Sequence, residues 1–278
     1  MITMEISEQN RLLFIQNKSF KIKNIMTNRI LSLFFILTVF SITWTSCDKD
    51  DNPTPDPDPE KTTLEFHFDY VVNGDALVID DVYTLDGVAV SFNVANFYVG
   101  GLRLMNEAGE MTMLEDLYLL VKPDQTEFDL GEITSDHYHM TRFNVGILAD
   151  DNDQSEDDFT MRDGNVDPLG MQLPSMHWGW NAGYRFMRVD GLVDADGDGT
   201  PESAMEFHIG TDNLLTEAMV MIHKEVEAEK TNIVEIQVDL AKLFTDIDLS
   251  TDNITHTGDG LELAQKVAAN IPSAFSKK

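Results

Sequence analysis

From residue 64 the chain alternates apolar and polar positions. Leu64-Glu65-Phe66-His67-Phe68-Asp69-Tyr70 puts every second side chain on one face, the period of a half-buried strand. Runs of strand character follow at 88–94, 97–104, 117–121 and 140–147, and again at 184–189, 204–209, 219–223 and 233–238. Glycine, asparagine and aspartate punctuate them, which is the chemistry of tight turns. Many short strands at this spacing predict a mainly β fold, a β-sandwich-like domain. Two segments have helical character. Residues 239–245 are short. Residues 260–275 carry Leu261, Leu263, Ala264, Val267, Ala268 and Ile271 at helical spacing, which predicts a C-terminal helix. No internal repeat is present. The stretch 150–180 is long and irregular, with Pro168, Pro174 and several glycines, and long structured loops more often carry function than short ones.

The pattern before residue 64 is of another kind. Arg29 precedes an apolar run from residue 30 to 42, followed by Thr43-Trp44-Thr45-Ser46-Cys47. The run is too short for a membrane span of about 20 residues and suits the core of a signal peptide. Residues 1–46 are therefore expected to be a signal peptide, with translation starting at Met1 or at Met26. Cys47 is expected to be the lipidated residue that anchors the chain to a membrane. Residues 47–62 are acidic and proline-rich, without apolar side chains to bury, and read as an extended tether. The opening Cys47-Asp48-Lys49-Asp50-Asp51 resembles the acidic export signal of Bacteroidetes surface lipoproteins, which implies the outer leaflet of the outer membrane. A single domain is expected over 63–278.

Charge narrows the partners. The formal charge of the 278-residue chain is −30, and loss of residues 1–46 would leave 14 basic and 47 acidic residues. Such a surface repels nucleic acid and attracts cations, and it also keeps a surface protein soluble. Cys47 is the only cysteine, so the domain rests on its apolar core without disulfides.

Several constellations carry candidate chemistry. In Asp194-Ala195-Asp196-Gly197-Asp198-Gly199-Thr200-Pro201-Glu202, alternate aspartates can converge on one cation while the glycines permit the turn. Position twelve of an EF-hand counted from Asp194 is Met205, so the loop is not an EF-hand. A shorter calcium loop completed by Glu202 and an acidic hairpin turn are the two readings. Asp150, Asp151, Asp153, Glu156, Asp157 and Asp158 read as a solvated loop, because nothing fixes their spacing. Met176-His177-Trp178-Gly179-Trp180 offers an imidazole and a thioether, ligands suited to copper. Indole has no basic lone pair, so the alternative is an aromatic cluster that pins the long loop to the sheet. His67 and His208 each sit between apolar neighbours on a strand and should face away from them. His137 and His139 are two apart and should share a face. His223 and His256 read as incidental. No G-x-S-x-G, H-E-x-x-H, P-loop or C-x-x-C-H sequence occurs, and no nucleophile–base pair stands out, so the chain is expected not to be an enzyme.

One set of segments is more specific. Phe97–Leu104 (Phe-Tyr-Val-Gly-Gly-Leu-Arg-Leu), Phe143-Asn144-Val145-Gly146-Ile147, Asp167-Pro168-Leu169-Gly170-Met171, the stretch from Met176 to Gly191, and Phe207-His208-Ile209-Gly210 together resemble the MbnP-like family, the partner proteins of methanobactin systems. Trp178-Gly179-Trp180-Asn181-Ala182-Gly183-Tyr184 is the most distinctive part. The resemblance implies a β-rich exported domain that binds copper through histidines and a tryptophan oxidised to kynurenine. It implies a di-haem partner of the cytochrome c peroxidase type that performs the oxidation. His177 and His208 lie in matching segments and are the candidate copper ligands, with His67 as a third. Trp178 and Trp180 are the candidates for modification. The chain lacks the four cysteines of many methanobactin-type members. The expected function is copper uptake or storage at the cell surface; the alternative is a calcium-stabilised adhesion or scaffold module held by Asp194, Asp196, Asp198 and Glu202.

Overall fold

The computed structural model describes residues 60–278 apart from 180 and 181. The signal segment, Cys47 and Trp180 therefore lie outside the described residues. The strands, in chain order, are β1 (Lys61–Val72), β2 (Asp75–Ala76), β3 (Val82–Leu85), β4 (Val88–Asn106), β5 (Met111–Met113), β6 (Leu119–Val121), β7 (Glu127–Thr134) and β8 (Asp136–Val145). They continue with β9 (His177–Gly179), β10 (Gly183–Val193), β11 (Ser203–Gly210), β12 (Thr216–Val226), β13 (Asn232–Asp239), β14 (Ile254–Thr255) and β15 (Phe275–Lys277). Helices α1 (Ala149–Asn152) and α2 (Glu156–Thr160) fall in the long loop, and α3 (Leu261–Ala274) is the expected C-terminal helix. The short helical segment expected at 239–245 is a 3-10 turn, Leu240–Phe244. β1 begins within the expected tether, because Thr62 is already buried and bonds to Lys230. Among the described residues no helix is long and apolar enough to cross a membrane.

Two sheets form. One has five strands in the order β15-β13-β1-β2, with β7 also paired to β1. The other has ten, running β12-β8-β4-β10-β11-β14, with β3, β5 and β6 on β4 and β9 on β10. Pairing is antiparallel except for β1 with β13 and β11 with β14. Alternation explains the layering. Leu64, Phe66, Phe68 and Tyr70 of β1 meet Ala95, Phe97, Val99, Leu102 and Leu104 of β4 in one core. Phe68 touches Phe97 and Phe143 edge to face, at centroid distances of 5.8 and 6.5 Å. Helix α3 closes one side with Ala264, Val267, Ala268 and Ile271.

A second, smaller core lies on the outer face of the ten-stranded sheet. Tyr98, Tyr184 and Phe186 point away from the main core and are covered by Phe159, Leu169 and Met176 of the long loop. Two hydroxyls tie the loop down: Tyr184 donates to the Leu169 carbonyl at 2.6 Å and Tyr98 to that of Pro168 at 2.9 Å. The loop is thus a packed flap, and it delivers β9 to the edge of β10.

Candidate metal centre

The Trp-bearing segment is held by two arginines from β10. Arg185 Nη1 donates to the Ser175 and His177 carbonyls, both at 2.9 Å, and Arg188 Nη1 donates to Ser175 at 3.0 Å. Successive residues of a strand point to opposite faces, so β9 separates His177 from Trp178. The His177 ring stacks on Phe159 at 4.3 Å and meets Tyr184 edge-on at 4.8 Å. Its Nδ1 accepts the Gly179 N–H at 3.0 Å, which leaves the ring proton on Nε2. Burial, with Arg185 adding to it, draws its pKa below the ordinary histidine value. Trp178 faces the other way. The Arg185 guanidinium lies 5.3 Å from its ring centroid.

Trp178 and Arg185 form one wall of an open cavity of about 800 Å³, whose other walls include Glu206, His208, His256 and Leu261. Here three donors gather. Glu206, His208 and His256 each offer an atom within 4.8 Å of the others. The rings of His208 and His256 stack at 4.7 Å, and His256 Nε2 is 2.8 Å from Glu206 Oε2. β11 supplies Glu206 and His208 from its outward face, because Met205, Phe207 and Ile209 turn into the main core. β14 brings His256: Glu206 pairs with Ile254 and Phe207 with Thr255 in parallel register. Thr257 then fixes the turn. Its hydroxyl donates to the His208 carbonyl at 2.8 Å and accepts the Gly210 N–H at 3.1 Å.

His208 is buried, and its Nε2 lies 2.8 Å from Asp190 Oδ1. A carboxylate can only accept, so Nε2 carries the proton and Nδ1 keeps a lone pair. Asp190 also takes the Arg188 Nε–H at 2.7 Å. Burial pushes the Asp190 pKa up, but the hydrogen bonds from His208 and Arg188 prevail and hold it below the usual carboxylate value. A carboxylate hydrogen-bonded to the far nitrogen of an imidazole is the arrangement that orients metal-ligating histidines.

The three histidines expected to ligate copper are not brought together. Of His67, His177 and His208, only His208 belongs to a group of donors among the described residues. His67 lies on β1, in the other sheet, 3.0 Å from Glu65. His177 turns to the small core as described. His256, read from the sequence as incidental, stands in this group of donors, and Glu206 joins it. Nothing local marks His256, because its neighbouring strand, β11, is far away in sequence; Glu206 is two residues from His208 on the same face of β11. Nor do His137 and His139 act as a pair. His137 meets Glu225 at 3.0 Å, whereas His139 lies over His223 at 6.2 Å.

The aspartate loop between β10 and β11 does converge. Asp194, Asp196, Asp198 and Glu202 each offer an oxygen within 4.8 Å of the others. Asp194 accepts the N–H groups of Gly197, Asp198 and Gly199 at 2.7, 3.1 and 2.8 Å. Glu202 is raised above the usual carboxylate value by desolvation and by repulsion from Asp196, Asp198 and Asp194.

Comparison with curated proteins gave no match. Among solved structures, MbnP from Methylosinus trichosporium aligns with a TM-score of 0.48 and 16% identity, over 70% of this chain and 82% of that chain. The sequence model of the MbnP family matches residues 61–257, from the first strand through β14 and the turn that carries His256. This chain belongs to the MbnP family.

Proposed function

We propose that this protein is an exported, lipid-anchored copper-binding protein whose ion is held by His208 and His256 with Glu206 beside them. The convergence of two imidazoles and a carboxylate, one imidazole fixed by Asp190, carries the reading. Family membership supports copper as the metal. The donor set fits: imidazole and carboxylate suit a cupric ion, while a cuprous ion favours softer third donors. Bound there, the ion would be stored or passed on, the role of a binding protein. Trp178 forms the neighbouring wall and is a candidate for oxidation to kynurenine by a di-haem partner of the peroxidase type. Cys47 would anchor the chain in the outer membrane, with the domain at the cell surface.

Titration of the purified protein with cupric ion in air and cuprous ion under argon tests the site. His208→Ala/His256→Ala is expected to abolish micromolar or tighter binding of the cupric ion, and His177→Ala to leave it intact. Unchanged cupric binding in the double variant overturns the assignment.

A second reading concerns stability. Asp194, Asp196, Asp198 and Glu202 gather like charges, and a calcium ion among them would offset that charge. Calcium is expected to raise the melting temperature of the wild type and not of Asp196→Ala. Equal responses in calorimetry would remove calcium from the account.

A further inference from the structure

The outer face of the ten-stranded sheet carries a second set of ligand atoms, away from the imidazole centre. Cross-strand register places Met221 of β12 opposite Met140 of β8, Met140 opposite Met105 of β4, and Met105 opposite Met111 of β5. Four thioethers therefore stand in one row across four adjacent strands. The next row reads Met219, Arg142, Arg103, Met113 in the same order. All face outward, since Ala218, Val220, Ile222, Leu102 and Leu104, at the alternate positions, fill the main core. At the end of the first row the His139 and His223 rings stack at 6.2 Å.

Packing accounts for Met140, which is 9% exposed, but not for its exposed neighbours. Met111, Met113, Met219 and Met221 are 42–58% exposed. A solvent-facing strand position is ordinarily served by threonine, lysine or glutamate, and the residues that favour strands are β-branched or aromatic. Six of the chain's 14 methionines lie on this one patch. Opposed residues on adjacent antiparallel strands have Cβ atoms about 5 Å apart, and a flexible thioether reaches across that gap. Thioether sulfur is a soft, uncharged donor that selects cuprous ion over harder cations. Arg103 and Arg142 both pair with Glu217, which offsets one of the two positive charges beside the row.

We propose that neighbouring thioethers of the row Met221, Met140, Met105 and Met111 bind a soft monovalent metal ion, cuprous ion or its analogue silver(I), with His139 and His223 as flanking donors. It would hold the ion in the reduced state, which the nitrogen–oxygen set at His208 suits less well. The proposal stands on its own chemistry and does not depend on the imidazole centre.

Silver(I) titration of the full-length protein labelled at the methionine methyl groups tests it, because silver needs no reductant. The first equivalents are expected to shift the methyl resonances of Met105, Met111, Met140 and Met221. They should leave those of the buried Met187 and Met205 in place. Replacing the four row residues with leucine keeps the apolar area and removes sulfur. That variant is expected to lose a bound equivalent of silver, with its melting temperature monitored to establish folding. Met111→Leu/Met221→Leu, at the exposed ends, covers the case in which the fourfold variant does not fold, and should weaken binding at least tenfold. His208→Ala/His256→Ala should retain the methyl shifts, which separates this site from the imidazole centre. Unmoved row methyls, or leucine variants that bind silver as the wild type does, would overturn the proposal and leave the patch as apolar surface alone.

Discussion

Asp190 shows how much one side chain can decide. Between His208 and Arg188 it sets the tautomer of a buried imidazole and neutralises a guanidinium. Asp190→Asn is expected to weaken metal binding by about 10–100-fold, the usual cost of removing a group that orients a ligand. Folding lowers the Asp190 pKa. Its contribution to stability is therefore complete above the unfolded value of about 3.9 and disappears as the pH falls through the lower folded value. Urea denaturation should show the variant less stable than wild type at neutral pH and the difference closing in strong acid; a gap that is constant with pH would count against this role. His208 was legible in the sequence because Phe207 and Ile209 on either side force it off the core face. His256 was not, because a two-residue strand gives no periodicity and its neighbour is set by a long-range parallel pairing. His177 faces the small core instead, because alternation along β9 sends His177 and Trp178 to opposite sides and Trp178 lines the cavity.

At the scale of elements, the contact between β9 and the end of β11 places that tryptophan. Gly210 leaves room for it. A Cβ there would run into Trp178 Cζ3 and come within 2.5 Å of the Tyr184 carbonyl oxygen. Gly210→Ala is expected to cost about 1–3 kcal/mol, as overpacking of a filled site does, and to shift the tryptophan emission. Wild-type emission together with wild-type stability would show that β9 is free to move. The strands themselves were largely readable from alternation. The runs at 88–94 and 97–104 proved to be one strand, β4: an irregularity between Phe92 and Val94 shifts the core positions from Val90 and Phe92 to Ala95 and Phe97 while pairing with β10 continues. β7 was missed, since Glu127, Asp129, Glu132 and Gly131 dilute its apolar positions Phe128, Leu130 and Ile133. Helices α1 and α2 were read as solvated loop; most of their carboxylates are exposed, but Asp151 is half-buried and accepts the Tyr118 hydroxyl at 2.6 Å, and Phe159 marks the buried side.

For the whole molecule, the sandwich-like architecture followed from strand number and turn spacing, and the two sheets with one shared core agree with it. The flap on the outer face was less readable, because its order comes from tyrosine hydroxyls meeting backbone carbonyls rather than from any pattern of its own. The excess of carboxylates gives the domain a field that concentrates cations near every candidate ligand group and discourages contact with acidic polymers.

The pairing of β1 with β13 has a kinetic corollary. Leu64 sits beside Asn232 and Val71 beside Asp239, in parallel. Closing so large a loop is slow, and it cannot happen until nearly all of the polypeptide is available. A nascent chain therefore has no finished five-stranded layer to lock into while its C-terminal third is still missing. That layer is expected to close only once β13 has been made, so its amide protons should be the last to gain protection in hydrogen exchange during folding.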